Sequence, residues 1–156
     1  MCGRRMFNWE EIKEEVIDTW SSWNDKHLEI RNLTEFNRRI VEDFAEMFYR
    51  RKEVRRAFMK YVIEDYIQHN PNIPDGRDAA IEALEQKFSE PQASFDIKRI
   101  LVDDDLAAIH LHGQLSADNL GGAVVDLFRI ENGKIVEHWD VLQAIPTKAA
   151  NNHPMF

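Results

Sequence analysis

The chain has 156 residues, 44% of them apolar, with 28 acids against 20 bases and a formal net charge of −8. That length and apolar content suit one domain with a sizeable core and exclude a chain disordered throughout. The acidic balance weighs against nucleic acid or an anionic membrane surface as partner. No run approaches the ~18–20 apolar residues of a membrane span, and the single cysteine, Cys2, excludes a disulfide framework within one chain. Residues 1–15 hold no apolar run of the secretory type, so a cytoplasmic location is expected.

The first helix is expected over residues 8–28. Trp9, Ile12, Val16, Thr19, Trp20 and Trp23 recur at three- and four-residue spacing, and Asn8 is the N-cap. This tryptophan-bearing stripe is expected to dock on the domain or on a second subunit. A second helix starts near Leu33 with Thr34 as its cap and Phe36, Ile40, Val41, Phe44, Met47 and Phe48 as its apolar face. The basic residues Arg50, Arg51, Lys52, Arg55 and Arg56, interleaved with Glu53, read as a solvated surface. A short third helix runs from Val54 to Tyr61.

Residues 66–69 are strand-like and stop at Asn70-Pro71, because a residue before proline is pushed to extended conformations. Pro74-Asp75-Gly76 is a turn, and Asp78 caps a helix through Phe88. Strands follow at 95–102 and 106–115, joined by the turn Asp103-Asp104-Asp105. In the second of these, Ala108, His110 and His112 share one face, and Ala107, Ile109 and Leu111 the other. The loop 116–122 leads to a hairpin whose two-residue turn is Asn132-Gly133, a pair that tolerates the positive φ of a type I′ turn. Simple pairing across that turn sets Ile130 against Ile135, Phe128 against Glu137 and Asp126 against Trp139. On this register His138 and Asp140 point away from Asp126. The tail 146–156 is polar but ends in Met155-Phe156, which suits docking on apolar surface.

Helices first, then one short strand with a helix, then four strands in antiparallel hairpins make an α+β chain. The expectation is a cone-shaped curved antiparallel sheet covered by N-terminal helices. The organisation read from it is a helical extension over 1–32, the α+β domain over 33–145 and a tail over 146–156. Asp126, an acid within an apolar strand face, would line the inside of the cone.

The segments YIQHNPNIPDGRDAAIEAL and VVDLFRIENGKIVEHWDVLQ together resemble the SnoaL-like proteins of the nuclear transport factor 2-like superfamily, over roughly residues 33–143. The resemblance implies a cone with a deep pocket, commonly dimerised through the outer sheet face, so a homodimer is expected, with Val125, Leu127 and the tryptophan helix as candidate contacts. It also implies polyketide cyclase or ketosteroid isomerase chemistry without a cofactor or metal. By position Asp126 takes the role of the cyclases' general acid/base aspartate and His112 that of their histidine. Tyr66, His69 and Asn70 stand at the polar end of the first strand. Where the isomerases carry an aspartate base, this chain has His69 or Asn70, so steroid isomerisation by that route is not expected.

A carboxyl among apolar side chains resists ionisation and can both take and return a proton. With Asp126 as that group, His112 would polarise an enolate. Tyr66 and Asn70 would hold the substrate oxygens, His69 and His110 would add to the substrate-binding set, and Phe128 and Trp139 would wall a planar hydrophobic ligand. Two other readings stay open: a non-catalytic ligand-binding or protein-interaction module, and a hydrolase or dehydratase using Asp126 with His112 and water. His110 and His112 with Asp126 and His69 would form a metal set only by a spacing common by chance. No serine sits in a nucleophile elbow, and Gly121-Gly122 lacks the following helix of a phosphate loop.

Overall fold

The computed structural model describes the backbone from Trp9 and the side chains from Ile17 through Phe156. The expectations for Cys2, for the Asn8 cap and for the side chains of Trp9, Ile12 and Val16 fall outside the described residues. In chain order the elements are α1 (Trp9–Ala45), a π-helical turn (Glu46–Arg50), α2 (Val54–Tyr61), β1 (Val62–Gln68), α3 (Arg77–Ser89), β2 (Ser94–Asp103), β3 (Leu106–Gln114), β4 (Gly122–Glu131) and β5 (Lys134–Ala144). They form an α+β cone: helices lie against a curved, unclosed five-stranded sheet of order β1-β5-β4-β3-β2. Every pairing is antiparallel except β1 with β5, which is parallel, so the sheet is mixed. β1 reaches the sheet by way of α3 and the β2–β4 meander, and that long connection is what lets it run alongside β5 in the same direction.

The first two expected helices are one. α1 has 37 residues, about 55 Å at 1.5 Å per residue. Thr34, expected as a cap, serves a tertiary purpose together with Asn37. Thr34 Oγ1 accepts the backbone N–H of Asp104 at 3.0 Å, and Asn37 Nδ2 donates to the Asp104 carbonyl at 2.8 Å. Asp104 has φ 51, a turn conformation that these two side chains hold against the helix. From Asn37 on, α1 is core: Val41, Phe44 and Ala45 are buried. Before that point the helix leaves the domain, with Trp20, Trp23, Leu28 and Leu33 exposed.

The π turn puts three consecutive residues, Met47, Phe48 and Tyr49, inside the fold. A regular α-helix would turn at least one of them outward, because successive side chains diverge by about 100°. Phe44, Phe48, Phe58 and Phe88 then pack on one another at centroid distances of 4.4–5.9 Å, Phe48 stacked on both Phe44 and Phe88. Phe128 meets Phe44 edge-on from the sheet at 5.5 Å. The basic stretch after the turn is solvated and paired: Arg50 with Glu46, Arg55 with Glu85, Arg56 with Glu53.

Asn132 (φ 50) and Gly133 (φ 76) make the expected hairpin turn. The register beyond it departs from simple pairing. Ile130 pairs with Ile135, but the next residue of β4, Arg129, pairs with Glu137. Val136 is the extra residue of a β-bulge, and both Ile135 and Val136 are buried. One extra residue exchanges the two faces of the rest of the strand. Phe128 therefore pairs with His138 and Asp126 with Asp140, while Glu137 and Trp139 turn outward. The outward Glu137 is held by Arg129 Nε at 2.7 Å and by His69 Nε2 at 2.8 Å.

Gly121, beside the mouth of the cone, has φ +76. A Cβ there would lie 2.4 Å from the Gly113 carbonyl oxygen and 2.8 Å from His112 Nε2. Gly121→Ala is expected to destabilise the fold by about 1–3 kcal/mol. A urea denaturation series comparing midpoints checks this, and an unchanged midpoint would contradict the close packing.

Candidate functional site

The cone encloses a cavity of about 300 Å³ between the helices and the inner sheet face. Its walls are mainly apolar, with Phe48, Phe58, Phe88, Phe95 and Phe128 beside aliphatic side chains such as Leu84, Leu111 and Val124. Its polar groups come from three places: Tyr49 from the π turn, Tyr66, Gln68 and Asn70 from β1 and its end, and Asp126, His138 and Asp140 from β4 and β5.

Asp126 is buried and receives one hydrogen bond on each carboxyl oxygen. Tyr49 Oη donates to Oδ2 at 2.6 Å, and His138 Nε2 lies 3.0 Å from Oδ1. The other ring nitrogen, Nδ1, lies 2.8 Å from Gln68 Oε1. That oxygen already accepts the Asn70 backbone N–H at 2.9 Å, so it is an acceptor and Nδ1 is the donor. With Nδ1–H fixed in this way, a hydrogen bond between Nε2 and Oδ1 needs one further proton. It sits on the imidazole beside a carboxylate, or on the carboxyl beside a neutral imidazole. Burial and the Asp126 charge push the Tyr49 hydroxyl well above its ordinary pKa, so it stays a donor. Burial, then Asp126 and Asp140, do the same to Tyr66.

Asp140 faces Asp126 directly across the β4–β5 ladder and accepts a hydrogen bond from Asn70 Nδ2. Asp126, His138 and Asp140 each offer an atom within 4.8 Å of the others, a nitrogen–oxygen set that could share a cation.

Of the residues singled out from sequence, Asp126, Tyr66, Asn70 and Phe128 meet in this cavity. The other four do not. His112 and His110 are on the outer sheet face: Asp126 pairs with Ile109 across β3–β4, so Ile109 and Leu111 take the inside and the two histidines the outside. The more apolar side of β3 is buried, and that contrast was present in the alternation. His112 instead binds the Leu120 carbonyl at 2.8 Å and stacks on Phe156 at 4.8 Å, so the tail does dock on the sheet. His110 pairs with Arg99. Trp139 is turned out by the bulge and stacks on His69 at 4.8 Å, outside the cavity.

Sequence reasoning missed His138, Asp140, Gln68 and Tyr49. Strict alternation places the first two on the outer face, and the bulge turns them inward. The signal that would have found them is the adjacent apolar pair Ile135-Val136 just after the turn, which an alternating strand cannot bury without a bulge. Tyr49 carries no comparable signal, because a π turn leaves no periodicity to read.

The family model of the SnoaL-like domain matches residues 41–138, more than half of the chain. The chain belongs to the SnoaL-like family, within the nuclear transport factor 2-like superfamily. No curated protein matches it. Among solved structures it is similar to a nuclear transport factor 2-like protein of unknown function from Mesorhizobium loti, with 23% identity and a TM-score of 0.61 over 71% of this chain and 93% of that one. It is also similar to a candidate ketosteroid isomerase from Kribbella flavida (19%, TM-score 0.59, 78% and 84% covered). A candidate SnoaL-like polyketide cyclase from Jannaschia is a third (16%, TM-score 0.54, 70% and 87%). At these identities the likeness shows the fold. No helix among the described residues is long and apolar enough to cross a membrane.

The site makes a direct spectroscopic prediction. Tyr49 and Tyr66 should remain neutral at about pH 10.5, where an exposed tyrosine is more than half ionised. An ultraviolet titration of the native protein checks this, and full ionisation of every tyrosine there would contradict the burial of both hydroxyls.

Proposed function

We propose that this SnoaL-like chain is an enzyme that moves a proton next to a carbonyl, without a cofactor, on a hydrophobic compound held in the cone. Aldol-type cyclisation and isomerisation both begin in this way. The observation that carries the reading is the buried Asp126 carboxyl, hydrogen-bonded to Tyr49 and His138 inside an apolar cavity.

Each step uses a group already in position. With the shared proton on His138, Asp126 is a carboxylate. Each of its oxygens has a lone pair left after the bonds from Tyr49 and His138. That carboxylate takes the proton from carbon next to the carbonyl, and the C–H electron pair becomes the enolate. The charge that develops on the carbonyl oxygen accepts a hydrogen bond from the neutral Tyr66 hydroxyl. In an isomerisation Asp126 returns the proton to a different carbon. In an aldol closure the enolate carbon attacks a second carbonyl, and Asp126 gives its proton to the resulting alkoxide. The aromatic walls keep water away from the enolate, and Tyr49 keeps the carboxyl aimed. The fold's occurrence in candidate isomerases and cyclases agrees with this chemistry.

The test uses β-tetralone, a planar aryl ketone small enough for the cavity. In deuterium oxide at neutral pH, nuclear magnetic resonance reports exchange at the carbons next to the carbonyl. The protein is expected to accelerate exchange over buffer, and Asp126→Asn to lower that acceleration by about 10²-fold or more. His138→Gln should lower it by about tenfold or more, since the shared proton loses its second seat. His110→Ala, on the outer face, should stay within about twofold. No acceleration by the wild-type chain, or full acceleration by Asp126→Asn, would overturn the reading.

A further inference from the structure

The loop over residues 115–121 joins β3 to β4 at the mouth of the cone and supplies Leu115, Asn119 and Gly121 to the cavity lining. The opposite end of β4 is shut by α1: Phe36 and Ile40 lie against Gly133, and Val41 and Ile135 are fully buried. A ligand therefore enters past this loop. The loop belongs to no helix or strand. Within it, the Gly121 N–H donates to Asn119 Oδ1 at 2.9 Å. From β3, Gln114 Nε2 donates to the Asn119 carbonyl at 2.6 Å, and Gln92 Oε1 accepts the Ala117 N–H at 3.4 Å.

Two further holds come from outside the cone, and both lead to the tail over residues 146–156. At the root of the tail, the Ile145 N–H donates to the Gly121 carbonyl at 3.0 Å. Farther along, Phe156 stacks on His112 at 4.8 Å with the two ring planes 22° apart, and Lys98 Nζ lies 4.9 Å from the same phenyl centroid. His112 Nε2 in turn donates to the Leu120 carbonyl at 2.8 Å. Between these points Pro146, Lys148 and Met155 border a groove on the outer sheet face with Val125 and Val141. The tail thus grips the mouth loop at two neighbouring residues, Gly121 directly and Leu120 through His112. An aromatic pair on an accessible face biases such a loop a few-fold in population, enough to hold it and little enough to let it go.

We propose that the tail is a clasp on the mouth of the cavity. Phe156 fixes the His112 ring, the ring fixes the Leu120 carbonyl, and undocking of the tail releases loop 115–121 and opens the way in. His112 is a positioning residue for the mouth and touches no ligand. The clasp governs entry to the cavity whether its occupant is transformed there or merely bound, so it does not depend on the proton-transfer chemistry.

The test reads the mouth without a ligand. In a Cys2→Ser background, Val124→Cys sets one thiol in the cavity wall near the mouth, and Val41→Cys sets one in the core at the closed end. The rate at which methyl methanethiosulfonate labels each thiol reports how often that place becomes reachable. Phe156→Ala is expected to raise labelling at Val124→Cys by about three- to tenfold, the bias an aromatic pair contributes. Labelling at Val41→Cys should stay within about twofold, which also shows that the fold is kept. Phe156→Tyr keeps the ring and should label like the parent at both places. His112→Phe keeps the stack but loses the bond to Leu120, and should raise labelling near the mouth as Phe156→Ala does. Unchanged labelling with Phe156→Ala overturns the proposal. So does an equal rise at both places, which would make the tail a general stabiliser of the fold, or a His112→Phe variant that labels like the parent. No carbonyl compound enters the measurement, so its outcome and that of β-tetralone exchange are read separately.

Discussion

The bond from Tyr49 to Asp126, with His138 on the other oxygen, is the constraint on which the site depends. A carboxyl taken out of water is costly unless both oxygens find donors. Neither donor is delivered by regular structure. Tyr49 reaches Asp126 because α1 ends in a π turn that faces three consecutive residues inward. His138 reaches it because Val136 is squeezed into a bulge that exchanges the faces of β5. Both irregularities lie where the polar groups of the cavity meet, and such features are common at functional sites.

The same bulge organises the outside of the sheet. Once Glu137 faces outward it forms bonds with both Arg129 and His69, and these hold its carboxyl below its ordinary pKa, His69 first. Trp139 then has His69 to stack on. Inside, the bulge brings Asp140 opposite Asp126, so one inserted residue supplies the shared proton's second seat and the second carboxylate. β1 locks the arrangement: Gln68 fixes the imidazole, Asn70 fixes Asp140, and the His69 N–H donates to the His138 carbonyl at 3.0 Å.

Much of this was legible in the amino-acid sequence where local rules decide. Asn132-Gly133 announces its own turn, the apolar face around Phe44 and Phe48 announces a core helix, and Asp126 stands out as an acid in an apolar strand. The α+β cone follows from the order of elements. What was not legible depends on contacts distant in sequence. Thr34 looks like a cap because the Asp104 turn that it and Asn37 bind is some seventy residues away. Strict alternation, carried through a strand that breaks it, turns His138 away from Asp126, and the resemblance puts His112 in its place. A histidine on the neighbouring strand also fitted the family pattern. The buried contrast between Ile109 and Leu111 on one side of β3 and His110 and His112 on the other pointed the other way, and it was the physically stronger signal.

The central claim is that a single proton joins Asp126 and His138 while His138 Nδ1 permanently donates to Gln68. Neutron diffraction from deuterated crystals tests it most directly, because it places hydrogens. The account predicts deuterium on Nδ1 pointing at Gln68 Oε1, one deuterium between Nε2 and Asp126 Oδ1, and one on Tyr49 pointing at Oδ2. A bare Nδ1, or no deuterium between the imidazole and the carboxyl, would contradict it.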